Sequence, residues 1–494
     1  MRTQVIVVGA GPTGLMLAHE LLVAGVSTVV VERLPRANVQ SRADSLQPRT
    51  AEVLDLRGLL APLLAGVPLT GLLGGHFAGL PVPLDCTPWQ TRYPVPVPVS
   101  QGRLEGFLEE RVSARGGTVL RGTAVVEVGQ TAHDVQVSTD TGRTLSAEYV
   151  VACDGAHSTV RKLLGLPFPG QAATARSVVA DVVLAAHPDT LAEGRRHFSE
   201  RIRAANGYWT VLHPLGDNVF RFIFGSIADP NPPREQPVTE AEVRAALLAV
   251  YGPSAELTAI RAASRFSDAS RQLESYRQGR VFFAGDAAHI HLPVGGQGVN
   301  LGIQDAMNLG WKLAAQLHGW APADLLETYQ SERHPVAAGV LANTQAQGVL
   351  LNPEGGAGVG ELRALMAELM RLPEVNRHLS GMISGLDIRY DLAGADHPLT
   401  GRRMPDLDLV TTGGADRVSA LTHTGRGLLL RFDDRTEVTA EGWTDRVEEV
   451  TAKTAEDPGA AAVLLRPDGH VCWAGSDPAV LTTALTRWFG ARTG

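Results

Sequence analysis

The hydrophobic pattern opens on an apolar run over residues 4–8. A glycine turn follows, then a helical repeat over 13–24 ending at Gly25, a residue suited to a helix C-cap. A second apolar run over 28–32 completes strand, helix and strand, the start of a doubly wound parallel sheet. Residues 46–64 carry a helical pattern with Gly58 inside it, 71–100 read as irregular Gly- and Pro-rich strands, and 104–114 are helical again. Alternation over 118–128, 135–139 and 144–153, with a turn at Asp140-Thr141-Gly142, predicts a β-meander. The pattern then changes. Strands at 177–184, 208–214 and 219–227 suit an antiparallel sheet, followed by a helix at 240–250. A strand at 279–284 leads through a glycine-rich loop into a helical tract reaching 347, and 352–360 read as a boundary or exposed loop. The remainder reads as a separate α/β unit with strands at 427–432, 461–466 and 471–474, the last two joined by the turn Pro467-Asp468-Gly469.

The predicted class is α/β with α+β character. A Rossmann-like first part (1–175) is followed by an antiparallel-sheet domain (176–275), a return to the first domain with long helices (276–400), and a C-terminal unit (401–494). A chain of 494 residues exceeds what one core normally covers, in keeping with that division. Apolar residues make up 44% and charged residues 19%, which excludes a largely disordered chain. A net charge of −8 removes the basic footprint of a nucleic-acid binder. Cys86, Cys153 and Cys472 are too few and too far apart for a disulfide framework or a zinc cluster, which points to a reducing, cytoplasmic setting. The start Met1-Arg2-Thr3 lacks a signal-peptide pattern, and no stretch of about 18 residues is free of polar punctuation, so no membrane span is expected.

Three motifs carry chemistry. Gly9-Ala10-Gly11-Pro12-Thr13-Gly14 lies between the first strand and the first helix. Its first glycine suits the tight turn, its second admits a pyrophosphate close to the backbone, and its third lets helix and strand pack. Glu32 ends the second strand, where a carboxylate bonds ribose hydroxyls and repels a 2′-phosphate; FAD or NAD is favoured over NADP. The second motif, Cys153-Asp154-Gly155-Ala156-His157-Ser158, follows a strand and reads locally as a turn or as a ligand-binding loop. In the third, Gly285-Asp286 arrives at a strand's carboxyl end, where open α/β sheets bind ligands. The run 295–302 then opens a helix whose bare N–H groups suit an electron-rich ring.

Together, GAGPTG with Glu32, CDGAHSTVRK and GDAAHIHLPVGGQGVNLGIQDAMNLGWKL resemble the class A FAD-dependent monooxygenases of the p-hydroxybenzoate hydroxylase superfamily. The segment 41–58, Pro405-Asp406-Leu407 and LLRPDGHVCW ending at Trp473 resemble the actinobacterial aromatic-polyketide hydroxylases of tetracycline, angucycline and anthracycline pathways. The likeness runs from Thr3 to about Phe489. It implies bound FAD, with NADPH as a transient co-substrate and oxygen passed from a flavin 4a-hydroperoxide to a polycyclic aromatic polyketide, in antibiotic biosynthesis. It also implies a thioredoxin-like C-terminal domain, in which Cys472 without a Cys-x-x-Cys pair excludes disulfide exchange. By the same likeness Gly9, Gly11, Pro12, Thr13 and Gly14 line the pyrophosphate and Glu32 the adenosine ribose. Arg33 and Arg42 are basic positions near the adenosine and pyrophosphate, and Gln101 lies near the ribityl chain. Asp154 belongs to the motif linked to FAD and NADPH, with Arg161 nearby, and Asp286 bonds the ribityl and pyrophosphate region. Pro293 sits beside the isoalloxazine, with Gly296, Gly298, Val299 and Asn300 at its pyrimidine edge.

The same resemblance places substrate against the middle sheet and the ring loop, at Trp209, Phe222, Phe224, Pro293 and Gly295. Phe220, Phe222 and Phe224 alternate and share one face of a strand, which reads either as core packing or as a substrate wall. His289 and His291 lack the further ligands of a metal site and read as packing residues, so no metal is expected. No general base is nameable from the residues. Two other functions remain open: an FAD-dependent reductase or dehydrogenase without oxygen insertion, and a monooxygenase that inactivates a finished antibiotic. A monomer or homodimer without nucleic-acid or membrane partners is expected.

Overall fold

The computed structural model describes residues 1–37, 43–69, 72–186, 197–216, 218–233, 235–352, 355–392, 397–432 and 436–493. The opening pattern folds as strand β1 (Val5–Val8), helix α1 (Pro12–Val23) and strand β2 (Thr28–Val31). With β3 (Thr118–Leu120), β4 (Tyr149–Ala152) and β5 (Val281–Phe283) they form a parallel sheet in the order β5-β4-β1-β2-β3, and Arg277–Gln278 pairs antiparallel at the outer edge of β5. β1, β2, β4 and β5 are buried along their whole length, as strands covered on both faces must be. That strand order sets the ends of β5, β4, β1 and β2 side by side. The residues that follow them are Gly285-Asp286, Cys153-Asp154, Gly9 and Glu32.

Several predicted elements divide. The helix expected over 46–64 is α2 (Pro48–Asp55) and Leu60–Leu63, broken where Gly58 takes a φ of +64°. The expected meander is split. Val125–Gln130, Val135–Thr139 and Thr144–Ala147 form a separate three-stranded sheet, whereas β3 and β4 belong to the parallel one. Helix α3 (Gln101–Ala114) precedes β3 and packs on α1; it is capped by Ser100, whose hydroxyl accepts from the Arg103 N–H.

The middle sheet is antiparallel, ordered Ile202–Ala205, Tyr208–Gly216, Val219–Ser226, Arg176–Ala186 and Glu256–Ser267. The last of these has a small and polar sequence whose alternation is too weak to predict a strand. Helix α4 (Glu240–Tyr251) covers one face, and Val243, Ala246 and Leu247 pack there on Phe220, Phe222 and Phe224. The helical tract after 295 is two helices, α5 (Gln297–Leu317) and α6 (Glu327–Leu351). The expected loop at 352–360 ends early, because a helix spans Gly356–Leu369. In the C-terminal unit, Gly427–Arg431 is central. It runs parallel to Val447–Lys453 and antiparallel to Ala462–Leu465, which pairs with Val471–Gly475, and helix Pro478–Phe489 closes the unit.

Candidate active site

At the end of β1, Gly9 has a φ of +109°, and a Cβ there would lie 2.3 Å from the Cys153 carbonyl oxygen. A Cβ on Gly14 would lie 2.0 Å from the Gly9 oxygen, so α1 begins as close to the turn as glycine allows. Gly11 differs: nothing stands within 4 Å of the space its side chain would fill. It is also the N-cap of α1, without a side-chain cap, and Pro12 follows at the first helical position. Open space against an uncapped helix start is a site for an anion, favoured there by the helix dipole.

Glu32 braces this turn. Its carboxylate accepts from the N–H groups of Ala10 and Leu34, both at 2.8 Å, and stays half-buried. Arg33 is exposed beside it, and Arg42 lies outside the described residues. Gln101 begins α3, with its Nε2 donating to Glu105 at 2.7 Å. Ser158 caps the short helix Thr159–Leu163, its hydroxyl accepting from Arg161 N–H at 3.0 Å, and Asp154 ties down the same helix start, one oxygen accepting from Thr159 N–H at 2.7 Å and from Val160 N–H at 3.1 Å. Its other oxygen is buried with no hydrogen-bond partner, and burial raises its carboxyl pKa. Arg161 joins this motif to the next by donating to Ala287 O at 2.9 Å and Ala156 O at 2.8 Å.

Asp286 is exposed in the turn after β5. Beneath it lies Asp305 of α5, fully buried, which accepts from Gly285 N–H at 3.1 Å, pairs with His289 Nε2 at 2.7 Å and receives Arg333 Nε at 2.7 Å. Burial raises the Asp305 pKa, but Arg333 and His289 outweigh it and hold the carboxylate below its ordinary value. His289 is thereby a satisfied core residue, while His291 bonds Leu292 O through Nδ1 at 2.8 Å. Among the described residues no group of His, Cys, Asp and Glu has the arrangement of a metal site.

Gly295 and Gly296 are consecutive left-handed residues, with φ of +72° and +63°, and Gly296 leaves α5 without a side-chain cap. They are held from behind. Gln47 Nε2 donates to Gly295 O at 2.8 Å, Asn300 Nδ2 donates to Gly296 O at 2.7 Å, and Asn300 Oδ1 accepts from Gln47 N–H at 2.8 Å. Asn300 is therefore buried scaffolding, whereas Gly298 and Val299 are half-buried and Pro293 is exposed. A Cβ on Gly302 would lie 2.2 Å from Thr13 Oγ1, so the first turn of α1 touches the second turn of α5. Two uncapped helix starts stand together, suited to one ligand with an anionic centre and an electron-rich ring. A cavity of about 230 Å³ lies along α5, lined in part by Gln297, Asn300, Leu301, Val340 and Ile383.

The sheet register separates the aromatic residues expected at the substrate. Arg221 bonds Asp181 at 2.9 Å and also pairs with Asp44, whose neighbours Ser45–Leu46 lead into α2, so its face looks toward the cradle. Ile223, Val211 and Trp209 share that face by alternation and pairing. Phe222 and Phe224 lie on the other face, fully buried under α4, and so pack the core of the sheet instead of walling the cleft. Asp305, Arg333 and Gln47 were not anticipated. The available signal was a charged or polar residue inside an apolar helical stretch.

Family comparisons agree with this geometry. The FAD binding domain family matches residues 2–344, and the C-terminal region of aromatic-ring hydroxylases matches 397–491. The chain belongs to the FAD-dependent aromatic-ring hydroxylases of the p-hydroxybenzoate hydroxylase superfamily. This hydroxylase is 46% identical over 511 residues to the 12-dehydrotetracycline 5-monooxygenase/anhydrotetracycline 6-monooxygenase of Streptomyces rimosus, with 99% of each chain covered. It is 44% identical over 493 residues to the rifampicin monooxygenase of Streptomyces venezuelae, again covering 99% of each. It superposes on the solved structure of an anhydrotetracycline hydroxylase from Streptomyces rimosus with a TM-score of 0.90 and 45% identity, covering 100% of both chains. The hydroxylase is an FAD-dependent monooxygenase. The open space at Gly11, the uncapped starts of α1 and α5 and the unpartnered Asp154 oxygen fit that cofactor. Among the described residues no helix is long and apolar enough to cross a membrane.

Proposed function

We propose that the enzyme hydroxylates a polycyclic aromatic polyketide with electrons from NADPH and one oxygen atom from O2. The observation that carries this reading is 46% identity over 99% of each chain to a monooxygenase named for 12-dehydrotetracycline and anhydrotetracycline. In this reading Gly9, Gly11, Pro12, Thr13 and Gly14 line the pyrophosphate, and Glu32, Arg33 and Arg42 hold the adenosine end. Gln101, Asp154 and Asp286 serve the ribityl and pyrophosphate region, and Pro293, Gly296, Gly298 and Val299 border the ring, with Asn300 supporting them. FAD supplies the redox chemistry and oxygen activation when bound. The chain does the rest. The N–H groups at the start of α5 stabilise negative charge at the ring's pyrimidine edge. In this reading the sheet face carrying Trp209, Val211 and Ile223, turned toward the cradle by the Arg221–Asp44 pair, and Pro293 and Gly295 orient an aromatic substrate and exclude water. The units divide near 175, 275 and 400, and the protein works in the cytoplasm as a monomer or homodimer.

A second reading, oxidation of a finished antibiotic, is favoured by the likeness to a rifampicin monooxygenase. Purified protein is expected to be yellow and to consume O2 with NADPH when given anhydrotetracycline-type phenols. Turnover of rifampicin alone supports the second reading, and flavin reduction by NADPH with no substrate oxidised in either case contradicts both.

A further inference from the structure

The turn joining the last two strands of the C-terminal unit is buried where four helices of the cofactor domain meet. Arg57 Nη2 donates to Pro467 O at 2.8 Å, and the same guanidinium grips Glu20 of α1 at 2.8 Å. Arg49 of α2 donates to Asp468 O at 3.2 Å. Asp468 Oδ2 accepts from Asn308 of α5 at 3.3 Å and from Arg466 at 2.5 Å. Arg466 is fully buried and holds both oxygens of Glu332 on α6, at 2.6 and 2.8 Å. Glu332 in turn receives Lys312 of α5 at 2.8 Å and Asn308 at 2.6 Å.

The next residue along α6 points the other way. Arg333 bonds Asp305 at 2.7 Å, Leu301 O at 3.2 Å and the Tyr390 hydroxyl at 3.2 Å, and the Tyr390 ring lies 4.3 Å from that of His470. Asp305 ends the path at the Gly285 N–H, directly before Asp286. Charges balance along it: Arg466 and Lys312 face Glu332 and Asp468, and Arg333 faces Asp305. Apolar residues would dock the two units at least as stably. Measured against well-packed apolar residues a buried charge network often adds no net stability, and its directional bonds favour one arrangement.

We propose that Arg466 and Asp468 are positioning residues for the flavin. They set where the uncapped start of α5 and the Gly285-Asp286 turn stand relative to α1, and so tune the affinity and reduction potential of bound FAD. This rests on the FAD assignment of the cradle. Asp468→Asn and Arg466→Lys keep side-chain size and some of the bonds. In each variant the FAD dissociation constant is expected to rise about tenfold or more, and hydrogen exchange over 285–289 and the start of α5 to quicken in the apoprotein. Each tenfold loss of preference for reduced over oxidised flavin lowers the two-electron midpoint potential by ~30 mV. If both variants fail to fold, Tyr390→Phe removes only the hydroxyl that receives Arg333, and a threefold rise in the FAD dissociation constant is expected. A lower unfolding temperature with unchanged FAD affinity, potential and local exchange would mean that the network is structural only and overturns the proposal. Wild-type protein that binds no FAD overturns instead the assignment of the cradle.

Discussion

Gly11 and Gly14 stand three residues apart and carry opposite constraints. An added methyl at Gly14 meets the Gly9 oxygen, a backbone atom that cannot step aside, whereas at Gly11 it meets nothing. Gly14→Ala is expected to destabilise the fold by about 1–3 kcal/mol or more, as overpacking does. Gly11→Ala is expected to lower the apoprotein's unfolding temperature much less than Gly14→Ala, by the small N-cap preference for glycine alone, and to weaken FAD about tenfold, because its methyl fills the space left for phosphate. Thermal unfolding of the apoproteins and FAD titration separate the two. Asp286 is exposed, so Asp286→Ala should fold normally while losing a charge-assisted bond of roughly 1.5–3 kcal/mol, a ten- to hundredfold drop in affinity. A fully flavinated Asp286→Ala enzyme contradicts its place at the cofactor. The glycines and Asp286 were legible in the sequence because turn chemistry is local. Asp305 and Arg333 were not, since their partners lie sixteen residues or more away along the chain.

Among the elements, the β1–α1–β2 unit was legible because strand and helix periods alternate there without interruption. The strand Glu256–Ser267 was not, because its partners on the sheet, and not its own apolar residues, hold it. The division of 144–153 into two strands serving different sheets also leaves no periodic signal. Asp154 shows one residue with two loyalties. It ties down the start of Thr159–Leu163 through one oxygen and leaves the other unpartnered. Asp154→Asn should keep its bonds to the helix start and the fold but lose cofactor affinity, whereas Asp154→Ala, with the Ser158 cap intact, should also lose about 1 kcal/mol of stability with those bonds. Equal stability in both variants would remove the structural role.

At the scale of the molecule, the C-terminal unit is bonded into the cofactor domain and carries no thiol chemistry. Cys472 is buried, burial pushes its thiol well above the ordinary range, and Cys472→Ser should leave turnover unchanged. The interface also sets the acid limit. His470 lies among Asp468, Arg49, Arg466 and Tyr390, and burial pulls its imidazole from 6.5 to about 4. His76, stacked on Phe198, is pulled by burial and by His197 to about 3. Below pH 6.5 these two histidines bind fewer protons in the folded chain than in the unfolded one, so their contribution to stability is level above that pH and is lost as pH drops toward 4. Burial raises the Glu332 pKa, but Arg466 and Lys312 outweigh it and bring it to about 2, so its contribution is present above 4.5 and is lost between 4.5 and 2. Urea unfolding from pH 8 to 4 is expected to show a loss of roughly 3 kcal/mol from each of His470 and His76, and His470→Gln should remove about half of that slope.

The central claim is oxygen transfer to an aromatic substrate in the cradle between the sheet face and α5. Mass spectrometry of the product formed from a polycyclic phenol with NADPH under heavy-isotope O2 tests it most directly. One heavy oxygen atom in each product molecule is the predicted result; NADPH oxidation with an unlabelled product contradicts it.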